Sequence, residues 1–476
     1  MKTEGCYQSI FLTSPPTGQG NKDLFPQPPL GLALIAAVLE DKYKVLPILD
    51  GNFCKNYLDE LASVIKSQCP DVVGFTGSTP FASKVMEGAQ IVKQTNPNIL
   101  VIIGGPHATV LPEKTLLKSP FIDIAVCGEG ETIIQEIMSG KPLEEIEGIV
   151  YRRDGKIVRN VKRTFITDLD SLPYPAFHLL PQFPNGYRPH PPRGVRGVWT
   201  SILWSRGCPF NCTYCSRDAS FGRAVRNQSP EYIVGLIHYL HNQFGVNDVT
   251  FYDDCFTLNR KLVIKLLESM FPENLGFNLS WDCETRVDLV DLELLQAMKK
   301  AGCHTIAYGI EHGLWIHEIK GGRATLDQAE KAIHWTHKAG INTIGYFMIG
   351  FPQETPKTIL KTIAFAKKLD VTWAQFAITM PLPGSELYKE AVALNPSLDE
   401  YWDKLLYVSN EIIDLPLFVN KEVSEKDLAY WRSRAYKNFY FRGGYFWKQL
   451  TSIHNLSDLK MNIDGFKMLL GMVIRS

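Results

Sequence analysis

Short apolar runs alternate with longer amphipathic segments along the first part of the chain. Five runs have the length and the flanking turn residues of buried strands; they cover residues 9–12, 44–49, 72–75, 100–103 and 122–126. Between them, three segments repeat apolar residues with the period of a helix, at residues 30–39, 57–67 and 82–94. This alternation predicts a doubly wound, Rossmann-like α/β domain with a parallel sheet over residues 1–145.

The same alternation resumes near residue 196 and continues for six units. The predicted strands are residues 200–204, 248–252, 278–283, 305–309, 342–349 and 373–379. Predicted helices follow most of them, at residues 230–244, 261–270, 291–301, 326–339 and 356–369. Six consecutive strand-helix units predict an open (β/α)6 partial TIM barrel over residues 196–395, and the carboxyl-terminal face of such a barrel gathers its loops into one site.

Two other regions have a different composition. Residues 146–195 hold a hairpin, with its turn at Asp154 and Gly155, and then a proline-rich stretch, which together indicate a linker. Residues 396–476 combine a helical pattern with many aromatic side chains, and residues 421–476 contain ten Lys or Arg and five Asp or Glu. We predict a helical C-terminal domain that caps the barrel; a lid over the substrate, or an interfacial helix in peripheral contact with lipid, is the alternative.

Composition and charge exclude several classes of function. Lys and Arg together number 50, as do Asp and Glu, so no net field attracts nucleic acid. Seven of the ten cysteines are scattered without regular spacing, which is typical of a reducing cytoplasm rather than of a disulfide framework. No run of about 18 apolar residues is present, and the first residues do not have the pattern of a signal peptide. We therefore expect a cytoplasmic enzyme that neither spans a membrane nor is secreted.

The remaining three cysteines lie in one short loop after the first barrel strand and are spaced Cys-x3-Cys-x2-Cys, at Cys208, Cys212 and Cys215. Three thiolates on one loop can bind three irons of a four-iron four-sulfur (4Fe–4S) cluster, and the loop has no fourth cysteine for the remaining iron. That iron is left open to another ligand. A zinc site of three cysteines and a distant histidine, or a set of buried free thiols, is the alternative.

The cysteine loop, with Tyr214 directly before its last cysteine, resembles that of the radical S-adenosylmethionine (SAM) superfamily. In that superfamily the amino and carboxylate groups of SAM chelate the open iron, and electron transfer from the cluster cleaves SAM to a 5′-deoxyadenosyl radical. Other loops at the predicted carboxyl-terminal face match the superfamily pattern. The resemblance implies a set of SAM-binding residues: Tyr214, Asp253, Asp254, Arg286, Glu311 and Gly350.

The residue types in this set suit SAM. A carboxylate such as Glu311 can accept hydrogen bonds from the ribose hydroxyls or the amino group, and Arg286 can bind the SAM carboxylate. For Asp253 and Asp254, an acidic turn that caps the following helix is the alternative. The chain departs from the family at His312, where members usually have serine.

The first domain resembles the cobalamin-binding domain that precedes the radical SAM domain in one large subgroup of that superfamily. The likeness rests on the Gly-Gly-Pro-His-Ala-Thr stretch at 104–109 and the Gly-Glu-Gly-Glu stretch at 128–131. It implies cobalamin contacts from the loops at the carboxyl ends of the strands, among them Ser78, Thr79, Gly104, Gly105, His107, Gly128 and Glu129. No Asp-x-His-x-x-Gly motif follows the first strand, so the resemblance implies cobalamin bound without a histidine on cobalt. A domain that keeps the fold and binds nothing is the alternative.

The resemblance leaves two reactions open. In the first, cobalamin transfers a methyl group to an unactivated carbon of the substrate, one SAM supplying the radical and another the methyl group. In the second, the radical drives a cyclisation, dehydration or other rearrangement, and cobalamin is absent or is not the methyl donor. Both imply a small-molecule or lipid-like substrate and an external electron donor of the flavodoxin or ferredoxin type. A non-catalytic sensor or electron relay would leave the SAM-facing loops without a role.

Overall fold

The structure is a computed structural model that describes residues 7–18, 25–194, 196–216, 221–399, 420 and 422–445. The chain divides into two compact units. Among the described residues, the first unit is built from the chain up to Tyr187 together with the described residues of Ser216–Arg226 and Asp399, and the second from those of Arg188–Cys215 and Asn227–Leu398 and those after Asp399. Each unit contains its own parallel sheet.

The first sheet has eight strands, and strands and helices alternate along this unit. The elements are β1 (Ser9–Ser14), α1 (Leu30–Ala37), β2 (Lys44–Val45), β3 (Leu49–Asp50), α2 (Tyr57–Gln68), β4 (Val72–Thr76), α3 (Ala82–Thr95), β5 (Leu100–Gly104), α4 (Pro106–Val110), α5 (Pro112–Lys118), β6 (Ile124–Val126), α6 (Glu131–Met138), β7 (Ile149–Arg153) and β8 (Lys156–Arg159). Hydrogen bonds join the strands in the order β2-β1-β4-β5-β6-β7-β8, and β3 also pairs with β1. The pairs from β1 to β6 are parallel, so the predicted Rossmann-like sheet is confirmed.

Two details of this sheet differ from the expectation. The predicted strand 44–49 is two short strands, β2 and β3, because Pro47 lies between them and has no N–H to donate to a neighbouring strand. The hairpin of β7 and β8, which we expected in the linker, pairs with β6 in antiparallel register and so extends the first sheet. Val150 and Tyr151 are buried in this pairing. The turn of a hairpin is a local signal, whereas the strand beside it is chosen by tertiary packing.

The central strands β4, β5 and β6 of the first sheet are apolar on both faces, as expected for parallel strands covered by helices. Val73, Val101 and Ala125, on three neighbouring strands, are fully buried in one core cluster. Leu61 and Ile65, four residues apart on α2, join the same cluster from one face of that helix. Burial of each Val, Leu or Ile side chain stabilises the fold by about 1.5–3 kcal/mol. This core holds the carboxyl ends of β4, β5 and β6 together at one edge of the sheet.

The second unit is a six-stranded parallel sheet with helices between the strands. The elements of this half of the chain are β9 (Trp199–Ile202), β10 (Ser205–Arg206), β11 (Arg226–Asn227), α7 (Pro230–Phe244), β12 (Asp248–Phe251), α8 (Arg260–Ser269), α9 (Pro272–Leu275), β13 (Ser280–Thr285), α10 (Leu292–Lys300), β14 (Cys303–Glu311), α11 (Ile316–Ile319), α12 (Leu326–Lys338), β15 (Asn342–Ile349), α13 (Pro356–Leu369), β16 (Trp373–Ile378), α14 (Glu386–Leu394) and α15 (Glu425–Tyr440). The strand order is β16-β15-β14-β13-β12-β9, and every neighbouring pair is parallel. The predicted open (β/α)6 partial barrel is confirmed.

Most of the barrel helices begin with an N-cap residue whose side chain bonds the first turn, at the end of a strand-to-helix loop. Thr325 at the start of α12 and Thr355 at the start of α13 form complete capping boxes, and Asp291 caps α10 with its carboxylate. Each cap contributes about 1 kcal/mol, because it satisfies amide groups that have no partner inside the helix. The caps therefore determine where each loop of the carboxyl-terminal face ends.

The helix α15 covers the edge strand β16. The hydroxyl of Tyr436 accepts a hydrogen bond from the N–H of Phe376 at 3.1 Å and donates one to its C=O at 3.4 Å. Tyr440 pairs in the same way with the N–H and the C=O of Ala374, at 3.0 and 2.7 Å. The two tyrosines thus satisfy backbone groups that an edge strand otherwise leaves open. Residues 400–419, 421 and 446–476 of the predicted C-terminal domain lie outside the described residues. Within the described ranges, no helix is long and apolar enough to cross a membrane.

Candidate active site

The three spaced cysteines lie on a loop of the second unit that follows β9 and β10. Partly exposed thiols are present at all three positions, Cys208, Cys212 and Cys215. Two backbone hydrogen bonds of 3.0 Å hold the loop, from the Thr213 N–H to the Ile319 C=O and from the Leu387 N–H to the Thr213 C=O. Asn211 packs closely on Gly321, where an added methyl group would lie 3.0 Å from the Asn211 carbonyl oxygen. These contacts hold three soft sulfur ligands on one short segment, a donor set that fits an iron–sulfur cluster.

Arg286, directly after β13, lies beside this loop. Its guanidinium forms a two-point ion pair with Asp288, with Nε–Oδ1 and Nη2–Oδ2 distances of 2.8 and 3.0 Å. Its remaining nitrogen, Nη1, lies 3.9 Å from the Sγ of Cys212, and its Cζ lies 3.8 Å from the centroid of the Phe210 ring. The structure therefore places Arg286 against a cysteine sulfur, and its predicted contact with the SAM carboxylate stays a prediction.

The two aspartates after β12 have different surroundings. The carboxylate of Asp253 is buried and accepts hydrogen bonds from the backbone N–H groups of Trp204 and Ser205, at 3.2 and 2.5 Å, and from the Ser205 hydroxyl at 2.5 Å. Burial raises the pKa of Asp253 to about 7, although the hydrogen bonds from Ser205 lower it. Asp254 is solvent-exposed but has protein atoms close on most sides, and this desolvation raises the pKa of its carboxyl. Asp253 thus positions the start of the cysteine loop, while Asp254 is accessible to a ligand.

Glu311 ends β14 in a buried cluster of three polar side chains. Its Oε1 accepts hydrogen bonds from the Tyr214 hydroxyl at 2.8 Å and from the Lys320 Nζ at 3.2 Å. Its backbone has a φ of 67°, a left-handed conformation that tends to be found at functional sites. Burial and the nearby Glu311 charge raise the pKa of Tyr214, so its hydroxyl remains a donor. Sequence reasoning missed Lys320, because no local signal distinguishes it and only the fold brings it to Glu311.

His312, where the family resemblance predicts serine, is fully buried and joins the loops after β14 and β15. Its Nδ1 accepts hydrogen bonds from the N–H groups of Leu314 and Trp315, both at 3.1 Å. The ring proton is therefore on Nε2, which donates to the Oε1 of Glu354 at 3.0 Å. The other Glu354 oxygen accepts from the backbone N–H groups of Gly350 and of the residue after it. The buried pair of His312 and Glu354 thus holds the predicted SAM-binding loop at Gly350.

A buried ion network centred on Arg193 lies on the barrel sheet. Its guanidinium pairs with Asp282 and Glu284 on β13 and donates to the Tyr346 hydroxyl on β15 at 3.0 Å. The Glu284 side chain is 34% exposed, whereas those of Arg193 and Asp282 are buried. Burial raises the pKa of Glu284, and the charge of Arg193 opposes that shift. Sequence reasoning missed Arg193, because it lies in the proline-rich segment before β9 and has no motif of its own.

In the first unit, the predicted cobalamin loops meet at the carboxyl ends of β4, β5 and β6. At Gly104, the last residue of β5, an added Cβ would meet nothing within 4 Å, so open space adjoins this backbone. Gly105 has a φ of 90°, and an added Cβ there would lie 2.7 Å from the Thr76 Oγ1, so this position requires glycine. Gly128 has the same φ of 90°, and the nearest atom to an added Cβ belongs to Phe165, at 3.8 Å. Open space thus adjoins this edge of the sheet at Gly104, and the binding of a corrin there stays a prediction.

Other predicted cobalamin contacts are occupied by protein partners. His107 is fully buried, with its Nδ1 bonded to the Thr79 Oγ1 at 3.1 Å and its Nε2 bonded to a second threonine hydroxyl at 2.9 Å. Glu129 is buried and pairs with Arg226 at 2.9 Å. These side chains support the loops from within, whereas Ser78 is partly exposed. The predicted contacts of all these residues with cobalamin stay predictions, and both ring nitrogens of His107 have threonine partners.

Comparison with known proteins identifies the family. A model of the radical SAM superfamily matches residues 202–366, and a model of the B12 binding domain matches residues 20–138. Over 441 residues the chain is 36% identical to an uncharacterized methyltransferase of Pyrococcus horikoshii, an alignment that covers 91% of this chain and 92% of the relative. The chain belongs to the radical SAM superfamily. The predicted family and its N-terminal cobalamin-type domain are both confirmed.

Two other proteins are similar to much of this radical SAM protein, one in sequence and one in fold. It is 31% identical over 343 residues to the anaerobic magnesium-protoporphyrin IX monomethyl ester cyclase of Rubrivivax gelatinosus, over 70% of this chain and 60% of the cyclase. Its fold is similar to that of the radical SAM methyltransferase TsrM from Kitasatospora setae, solved with cobalamin and a 4Fe–4S cluster bound. That match has a TM-score of 0.66 and 21% identity, and covers 82% of this chain and 75% of TsrM. The likeness to TsrM shows the fold.

Membership in the family confirms the predicted cofactors, which are a 4Fe–4S cluster, SAM and cobalamin. When bound, a 4Fe–4S cluster would supply the electron for the reductive cleavage of SAM. The described residues position the loops on which the predicted cofactor contacts lie. Asp253 and His312 fix two loops of the barrel face, while Tyr214 and Lys320 orient the carboxylate of Glu311. The assignment of single residues to SAM or to iron stays a prediction.

Replacing Glu311 with glutamine is expected to weaken SAM binding by roughly tenfold to hundredfold, because a hydrogen bond to a charged group contributes about 1.5–3 kcal/mol. The glutamine keeps the shape of the side chain but removes the charge that Tyr214 and Lys320 surround. SAM affinity is measured on the cluster-loaded protein from the change in the EPR spectrum of the reduced cluster. The matched control is Glu318→Gln, which changes an exposed carboxylate on α11 and should bind SAM like the wild type. Wild-type affinity in Glu311→Gln would contradict the assignment.

Proposed function

We propose that this protein is a cobalamin-dependent radical SAM methyltransferase that methylates an unactivated carbon of a small molecule. One observation carries the proposal: a B12-binding domain and a radical SAM domain occur in the same chain, over residues 20–138 and 202–366. A radical SAM domain alone suffices to start radical chemistry. Cobalamin, when bound, supplies a carrier for a methyl group. The relative from Pyrococcus horikoshii, which bears the name of a methyltransferase, aligns with 91% of the chain.

In this proposal Glu311 binds SAM through one defined oxygen. Tyr214 and Lys320 both bind its Oε1. The Oε2 is then the oxygen that accepts from an amino or hydroxyl group of SAM. Because Lys320 and Tyr214 already donate hydrogen bonds to this carboxylate in the protein without SAM, they fix its plane before SAM binds. Such preorganised hydrogen bonds need no rearrangement when SAM binds.

The Arg193 network favours a substrate with hydrogen-bonding groups over a purely apolar lipid. Glu284 is its accessible member, with its side chain 34% exposed, and its Oε1 already binds Arg193 and Tyr346. Burying an apolar surface against a charged carboxylate costs free energy unless a donor reaches the carboxylate. We infer that the substrate places a donor group there. The partly exposed cysteine loop is accessible to an external one-electron donor, which we propose is of the flavodoxin or ferredoxin type in a reducing cytoplasm.

Replacing Gly104 with phenylalanine is expected to abolish cobalamin binding and leave the first unit folded. An added Cβ at Gly104 meets nothing within 4 Å, so the ring would occupy the open space where the corrin should lie. Corrin content is measured by absorbance after anaerobic purification with added cobalamin, and folding by circular dichroism. Gln68→Phe, at the exposed end of α2 and thus at the opposite edge of the sheet, is the control and should bind cobalamin normally. Full corrin content in Gly104→Phe would place cobalamin elsewhere.

A rearrangement is the second candidate, because the chain is 31% identical to the Rubrivivax cyclase over 70% of its length. The two functions differ in what becomes of SAM. Methyl transfer converts one SAM to 5′-deoxyadenosine and another to S-adenosylhomocysteine, whereas a rearrangement yields only 5′-deoxyadenosine. Turnover with methyl-labelled SAM and cobalamin-loaded protein decides between them. Label in the product supports methyl transfer, and 5′-deoxyadenosine without S-adenosylhomocysteine or labelled product supports the rearrangement.

A further inference from the structure

Arg286 is held on two sides by residues that fix the plane of its guanidinium. Asp288 accepts from Nε and Nη2, at 2.8 and 3.0 Å, in a parallel two-point contact. The Phe210 ring lies against the guanidinium, with its centroid 3.8 Å from Cζ. A two-point carboxylate contact together with ring stacking restricts arginine far more than one hydrogen bond does. The direction of Nη1 is thereby set, and it meets the Cys212 Sγ at 3.9 Å.

The ion pair of Arg286 and Asp288 turns its positive side toward the cysteine loop. A guanidinium is protonated throughout the physiological range. Asp288 occupies its Nε and Nη2 edge, whereas the edge with Nη1 faces Cys212. The pair of Arg286 and Asp288 is therefore a dipole with its positive end at the sulfur. Because the arginine is buried, water screens this field only weakly.

Positive charge and N–H donors at cluster sulfurs stabilise the reduced cluster, which carries one more negative charge, and so raise its reduction potential. We propose that Arg286 sets the reduction potential of the cluster on Cys208, Cys212 and Cys215, by holding its positive charge against the Cys212 sulfur. The inference rests on the cysteine loop's binding of a cluster and is independent of methyl transfer. It makes Arg286 a positioning residue that acts through Cys212. Its consequence is a cluster that an external donor reduces more easily.

Arg323 provides a matched control within the same surroundings. Its Cζ lies 5.7 Å from the centroid of the same Phe210 ring, and its side chain is exposed to solvent. Replacing Arg323 with glutamine removes one positive charge near the loop, as Arg286→Gln does. Solvent screens the charge of the exposed Arg323, whereas the charge of Arg286 is buried beside the Cys212 sulfur. Comparing Arg323→Gln with Arg286→Gln therefore distinguishes a general loss of positive charge near the loop from the loss of the charge at Cys212.

The test is a redox titration of the anaerobically reconstituted full chain, followed by EPR and carried out without SAM. At the potential where half of the wild-type cluster is reduced, Arg286→Gln should lower the ratio of reduced to oxidised cluster by about tenfold, a shift of about 59 mV for a one-electron couple. Arg286→Lys keeps the charge but loses the two-point contact with Asp288. Its midpoint potential should therefore lie between those of Arg286→Gln and the wild type. Arg323→Gln should have the wild-type midpoint. Iron and sulfide content should be unchanged in all variants.

A wild-type midpoint in Arg286→Gln, or an equal shift in Arg323→Gln, would overturn the proposal. If Arg286→Gln takes up no cluster, Arg286→Lys decides the question, and a midpoint at or above that of the wild type overturns the proposal. Iron analysis of the wild type separately tests whether the loop binds a cluster. Absence of a methylated product bears on the proposed function and leaves the midpoint comparison intact.

Discussion

Alanine in place of Cys208, Cys212 and Cys215 together is expected to remove the brown 4Fe–4S absorption of the reconstituted protein and all cleavage of SAM. Each thiolate is predicted to bind one iron, and no other described side chain of the loop is a soft donor that could replace them. Without the cluster there is no source of the electron that cleaves SAM. The measurements are iron and sulfide content, the absorption spectrum and the yield of 5′-deoxyadenosine.

The control for this experiment is Cys69→Ala, which removes an exposed thiol after α2 in the first unit. It should keep the wild-type iron content and SAM cleavage. A triple alanine variant that retains a full cluster would refute the assignment of these three ligands.

Replacing Arg193 with methionine is expected to destabilise the second unit by about 3–5 kcal/mol, because it leaves the buried carboxylate of Asp282 without its cation and also removes the partner of the partly exposed Glu284. Arg193 and Asp282 are 3% and 1% exposed, so water cannot take over the lost interaction with Asp282. The loss is measured by hydrogen exchange of the β12 and β13 amides under native conditions. Arg260→Met is the matched control: Arg260 pairs with Asp291 and Glu293 at the surface, where such a pair contributes less than about 1 kcal/mol.

The destabilisation of Arg193→Met should depend on pH in a defined direction. Burial already raises the pKa of Glu284, and Arg193 opposes that shift, so removing Arg193 raises this pKa further. A carboxyl whose pKa is higher in the folded state than in the unfolded state favours folding below the unfolded pKa and loses that contribution as pH rises through the folded pKa. The variant should therefore be closer to the wild type at about pH 5 than at about pH 8. If Arg193→Met loses the same free energy of unfolding at both pH values, Glu284 is not the carboxylate that lacks a cation in the variant.

Much of the fold is predictable from local sequence. The helix predicted at 356–369 is α13, Pro356–Leu369, because its start is marked by the Thr355 cap and Pro356. The central strands β4, β5 and β6 of the first sheet appear as short apolar runs, since helices cover both faces of a parallel sheet. The hairpin of β7 and β8 was predicted by its Asp154-Gly155 turn, but its place in the first sheet was not, because strand pairing depends on residues far away in sequence.

Residue type was a weaker guide to the candidate site. Asp253, His107 and Glu129 have the right chemistry to bind a cofactor, and the structure engages each of them with protein groups. A carboxylate or imidazole looks the same in sequence whether its hydrogen bonds go to a ligand or to the backbone. Only the positions of the surrounding donors distinguish these roles, and those donors come from other elements.

By itself, the sequence determined the two α/β units, the cysteine loop and the family, because strand and helix periods and the spacing of three cysteines within eight residues are local properties. The tertiary structure alone decided which side chains act together. Lys320 reaches Glu311, Glu354 reaches His312 and Arg193 reaches β13 only after the barrel strands are paired. The physical reason is that a buried polar group must find a partner, and which partner lies within about 3 Å is set by strand register and loop packing rather than by distance along the chain.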